Sequence, residues 1–125
     1  MGASGAGSAT KLAVNAFLLA TMVASSEALR LGSAEGVPRE DLLQAFARSE
    51  ILPAWALGKL ESLGGGEART AFSLALADKD LRLVEEPAAA AGLELPLTKA
   101  VAGVYARALA AGLGERDFSA VDAAD

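Results

Sequence analysis

From Ser8 to Leu31 apolar residues occupy most faces of a helical wheel, interrupted by Asn15 and Thr21. The pattern predicts one helix of about 24 residues, roughly 36 Å long. Being apolar nearly all round, it is expected at the centre of a bundle, with Gly32 as the residue that closes it. Gly36-Val37-Pro38 marks a turn, and Pro38 opens a second helix, Arg39 to Ala47, with Leu42, Leu43 and Phe46 on its apolar face. A third helical segment covers Pro53 to Leu63 with Trp55 as its large anchor, and Gly64-Gly65-Gly66 breaks the chain. The fourth, Ala68 to Ala91, carries Phe72, Leu74, Leu76, Leu81, Leu83 and Val84, with a kink or interruption expected at Pro87. Leu95-Pro96 opens a fifth helix to Ala111, with Leu97, Val101, Val104, Tyr105 and Leu109 inward. The tail from Glu115 is expected to be extended or briefly helical.

Residues 1–7 are rich in Gly, Ser and Ala and read as a flexible leader, which leaves 8–125 as one helical domain. The expected fold is therefore all-α, about five main helices around one long central helix. The chain is 53% hydrophobic but only 5% aromatic. Its core must then be built from Ala, Leu and Val, which suit close helix packing. The apolar stretch from Leu12 to Ala24 falls short of the roughly 20 residues a membrane span needs, and no basic segment precedes it as in a signal peptide. No membrane partner is expected, and a cytoplasmic setting is.

A net charge of −5 with scattered Lys and Arg argues against a nucleic-acid partner. With no Cys and no His, the chain cannot supply disulfides, thiolate catalysis, Cys- or His-based metal sites or imidazole chemistry. Proton transfer here falls to Lys, Tyr or a carboxylate.

The segment that carries candidate chemistry is Gly5-Ala6-Gly7-Ser8-Ala9-Thr10-Lys11-Leu12-Ala13-Val14-Asn15. Two glycines let a ligand approach the backbone where the chain enters the helix, and the free N–H groups of a first turn favour an anion. Lys11 and Asn15, four apart, share one helix face. Burying that pair costs free energy unless a partner satisfies it. Spacing alone leaves two readings open. In one the pair meets a ligand; in the other Lys11 reaches solvent and Asn15 is a satisfied core amide.

This G-x-G-x-x-x-K-x-x-x-N helix start resembles the catalytic motif of the β-hydroxyacid dehydrogenases, the 3-hydroxyisobutyrate dehydrogenase-like family. Two further blocks agree in order along the chain. Phe72, Leu76 and Lys79-Asp80-Leu81 resemble the family's F-x-x-x-L-x-x-KDL segment, and Gly114 to Val121 resembles its G-x-x-D-F-S-x-V ending. Glu27 and Leu95-Pro96 also fall where the family often has Glu and Pro.

The resemblance implies a helical C-terminal domain, like that of 6-phosphogluconate dehydrogenase, which supplies half of an NAD- or NADP-dependent active site. Lys11 is then the general acid/base, a task that asks for burial to bring a lysine toward neutrality. Asn15 binds substrate and helps orient Lys11, with Gly5 and Gly7 beside them on the substrate. Phe72 and Lys79 line the cofactor side, while Asp80 is open to a helix-surface or structural role. The implied substrate is a small hydroxyacid or semialdehyde. The implied partners are the Rossmann domain of the parent enzyme, which this chain lacks, and a second copy in a homo-oligomer. Alone, the domain is expected to bind dinucleotide weakly or not at all and to be inactive.

Within the family, 6-phosphogluconate dehydrogenases usually place His just before the motif Asn, where this chain has Val14. Two other readings compete: a non-catalytic helical self-association module, and an imine-reductase-like domain. Lys11 argues against the second, because imine reductases generally lack the motif lysine.

Overall fold

The computed structural model describes residues 3–65 and 72–123. They form six α-helices and a short 3-10 helix: α1 Ala3–Ala34, α2 Arg39–Ser49, α3 Ala54–Gly65, α4 Leu74–Leu83, α5 Glu85–Ala90, α6 Pro96–Ala110 and η1 Phe118–Ala123. The all-α expectation holds. Among the described residues the only extended pairing is an isolated antiparallel bridge, Ser73 with Asp117.

α1 is longer than expected at both ends. It starts at Ala3, so Gly5 and Gly7 lie inside its first turns rather than in a leader, while Met1 and Gly2 lie outside the described residues. It also runs past Gly32, which is not its closing residue. α2 crosses so closely there that a Cβ on Gly32 would stand 2.4 Å from Leu42 Cδ2. The cap is Gly36, at φ +91°. Val37 N–H donates to Gly32 O and Gly36 N–H to Ser33 O, both at 3.0 Å, the paired bonds that satisfy the last carbonyls of a helix.

Nor is α1 buried all round. Leu19, Met22, Val23 and Leu29 pack into the core, but Val14, Phe17 and Leu31 are exposed, Phe17 to 72%. Its apolar band is wider than the face its neighbours cover. The Leu12–Ala24 limit was likewise too narrow: Gly7–Ala34 is long and apolar enough to cross a membrane by length and composition. A core helix meets the same test, and α1 packs against α2, α3, α4, α6 and η1.

The fourth segment divides in two. A proline ring clashes with the carbonyl four residues earlier; for Pro87 that is Leu83, where α4 ends before α5 begins at Glu85. α4 begins at Leu74, capped by Ser73, whose Oγ accepts from Leu76 N–H. Ala68, the expected start, lies outside the described residues, as does Gly66.

The core joins Leu19, Met22 and Leu29 of α1 to Leu60 of α3, Leu74 and Leu81 of α4, and Val101 and Tyr105 of α6. Leu97, expected inward, is 65% exposed, and Leu76 and Leu83 are also exposed. Trp55 stands at the edge, its ring 6.1 Å from that of Phe118.

Candidate active site

The N-terminal half of α1 crosses α4, and at that crossing the two chemical motifs meet. Asn15 Nδ2 donates to Asp80 Oδ2 at 2.8 Å, a part-buried bond between residues 65 apart in sequence. An ionised carboxylate only accepts, so the bond orients the amide. Nδ2 is committed to Asp80, which leaves the amide oxygen Oδ1 as the acceptor of the pair. Lys11 lies one turn before Asn15 on the same face of α1 and is exposed. Among the described residues it has no ion-pair partner.

On α4 the sequence Asp78-Lys79-Asp80-Leu81 divides its side chains by direction. Leu81 enters the core. Buried Asp78 pairs with Arg82 at 3.0 Å, and Asp80 reaches α1. Lys79 is left in solvent. Leu76 and Leu83, three before and four after Lys79, extend an exposed apolar stripe beside that lysine.

Phe72 sits just before the α4 cap, half-buried, with its ring stacked on that of Phe118 at 4.4 Å and 9°. One aromatic face is thereby used internally. The half-exposed Phe72 ring and, seven residues on, the exposed Lys79 ammonium offer an aromatic face and a positive charge. Among the described residues no glycine-rich turn joins a strand to a helix to hold a pyrophosphate.

Gly7 has open space where a Cβ would stand, so a ligand can approach the backbone there. With α1 running from Ala3, however, the N–H groups without helical partners are those of its first turn, which holds Gly5. The Gly7 N–H lies within the helical ladder.

Asp80 is the residue that motif reasoning left undecided. Its signal was a carboxylate on an otherwise amphipathic helix beside a core leucine, matched by an amide on a second helix. Neither element alone reveals the match.

The profile of the family described as "NAD-binding of NADP-dependent 3-hydroxyisobutyrate dehydrogenase" matches residues 5–123. The NAD-dependent L-serine dehydrogenase of Pseudomonas aeruginosa is 31% identical, over 96% of this chain and 43% of its own length. Glyoxylate/succinic semialdehyde reductase 1 of Arabidopsis thaliana is 31% identical, over 97% of this chain and 42% of its own. The crystal structure of 3-hydroxyisobutyrate dehydrogenase from Salmonella typhimurium superposes with a TM-score of 0.86 at 25% identity. That alignment covers 95% of this chain and 42% of the solved one. The chain thus spans less than half the length of the proteins it matches.

Proposed function

The chain belongs to the NAD-binding family of NADP-dependent 3-hydroxyisobutyrate dehydrogenases, and from that premise we propose that it is the helical half of an NAD- or NADP-dependent oxidoreductase. Its substrate class is a small hydroxyacid, or the matching semialdehyde in reverse. The observation that carries this reading is the Asn15–Asp80 hydrogen bond, which joins two of the motif blocks beside Lys11.

The bound dinucleotide supplies the hydride acceptor or donor. The rest falls to this chain's side chains. The Lys11 amine takes the proton of the substrate hydroxyl during oxidation and returns it during reduction. Asn15, held by Asp80, accepts from the hydroxyl or from the ammonium through Oδ1 and fixes their geometry. Gly7 gives the substrate room, and the orphan N–H groups of the first turn of α1, Gly5 included, favour its carboxylate. Phe72 and Lys79 form one side of the cofactor cleft.

Lys11 is open to water in this chain, so a dinucleotide-binding body must close over it. Removal from water is one way in which a lysine comes to exchange protons near neutral pH. The exposed apolar residues beside the site, Val14, Leu76 and Leu83, support docking of that body. Phe17 and Leu31, farther along α1, support a contact between copies.

Two measurements on the isolated chain test this reading. With a hydroxyacid and NAD⁺ or NADP⁺ it forms no reduced cofactor, whereas the complete enzyme does. Calorimetry with either dinucleotide gives at most weak binding. Low-micromolar affinity or better, roughly −8 kcal/mol, would mean that the chain holds a whole cofactor site and that the half-site reading is wrong.

A further inference from the structure

The Gly114–Val121 block plays no part in the chemistry above, yet it contains a buried carboxylate that accepts several bonds. Asp117 is 5% exposed and Ser119 is fully buried. Asp117 Oδ2 accepts from Lys59 Nζ at 3.0 Å, from Ser119 N–H at 3.1 Å and from the Ser119 hydroxyl. Lys59 belongs to α3, and its ammonium also lies 5.3 Å from the centre of the Phe118 ring. The side chain of Asp117 is therefore fixed to α3 and to η1.

The backbone on either side of Asp117 is fixed to the start of α4 and to Phe72 just before it. Leu74 N–H donates to Arg116 O at 2.8 Å, Ala75 N–H to Gly114 O at 3.0 Å, and Phe118 N–H to Phe72 O at 2.9 Å. With Ser73 Oγ on Leu76, each of the first three N–H donors of α4 is taken. The start of α4 therefore has one register against segment 114–118. Six residues on, under two turns of helix, α4 presents Asp80 to Asn15. Immediately before it, Phe72 rests on Phe118.

We infer that Asp117, together with Lys59 and Ser119, is a positioning residue that locks segment 114–118 onto the first turn of α4 and so sets where Asp80 and Phe72 stand in the site. The inference rests on reading Asn15, Asp80 and Phe72 as site residues. None of the three latch residues touches substrate or cofactor. A buried carboxylate that accepts from an ammonium, a backbone N–H and a hydroxyl holds a backbone more firmly than a surface contact does, because leaving it unpaired is costly. Displacement by about 1 Å far from the chemistry can lower a rate by about a hundredfold.

The test uses NMR on the labelled chain, followed by kinetics on the complete enzyme. Asp117→Ala and Lys59→Met move the Asn15 side-chain amide signals and the Phe72 ring signals, and weaken the Asn15–Asp80 contact. Lys59→Arg keeps the parental signals. Gly36→Ala destabilises the fold at the far end of α1 and leaves the same signals unmoved, which separates positioning from general loosening. In the complete enzyme Lys59→Met lowers kcat by up to about a hundredfold, and Lys59→Arg restores it. Should Asp117→Ala fail to fold, Lys59→Met decides. A folded Lys59→Met chain with parental Asn15 and Phe72 signals overturns the inference. The chain-level signals do not depend on turnover, so a failure of the Lys11 assignment is told apart from a failure of this one.

Discussion

Tyr105, the only tyrosine, is fully buried and donates its hydroxyl to Phe118 O at 3.0 Å. Burial first, and the nearby charge of Asp117 second, push its phenol above the ordinary value. The folded chain keeps the proton that an unfolded chain begins to lose near pH 10. The contribution of Tyr105 to stability is therefore complete below about pH 10 and is lost as pH rises beyond it. Tyr105→Phe should cost about 1 kcal/mol at neutral pH and fall less steeply in alkali. Urea midpoints across that range check this; a variant with parental steepness contradicts it. At the residue scale the sequence shows what a single helix can show. Lys11 and Asn15 are one turn apart, so their shared face is legible from spacing. The Asn15–Asp80 bond and the Lys59–Asp117 pair join residues on different elements. Periodicity carries no information about which helix meets which.

At the scale of elements, the helices could be read because apolar period and Pro or Gly punctuation are local. Their ends were harder. The Gly36 cap depends on a φ that no composition reveals, and Gly32 is small because Leu42 arrives from α2. The division of α4 from α5 follows from Pro87, but its place, four residues earlier, follows from the ring's clash with a carbonyl. The largest revision concerns α1, where apolar character all round stood for burial all round. Leu19 and Phe17 now make opposite predictions. Leu19→Ala should cost about 2–5 kcal/mol, as truncation in a packed core does. Phe17→Ser should stay within about 0.5 kcal/mol and reduce self-association. Chemical denaturation and sedimentation of the two variants decide; a large loss at Phe17 would place that ring in a core contact.

For the molecule as a whole, the pieces fit half a site better than a whole one. The chain carries a lysine in water, an amide ordered by a carboxylate, one aromatic wall and apolar residues without cover. It spans 42–43% of the length of the matched relatives named above. Fold class was legible here, because an Ala- and Leu-rich composition with helical period leaves few alternatives. The face proposed to take a dinucleotide-binding body was not, since it depends on which residues the bundle leaves outside. The central claim is that Lys11 carries the proton. Its most direct test is the kcat of the complete enzyme bearing Lys11→Ala, set beside Asn15→Ala. The account predicts a fall of about two to four orders of magnitude for Lys11→Ala, with a smaller change in substrate affinity and a milder loss for Asn15→Ala. A Lys11→Ala enzyme that turns over at the parental rate would contradict it.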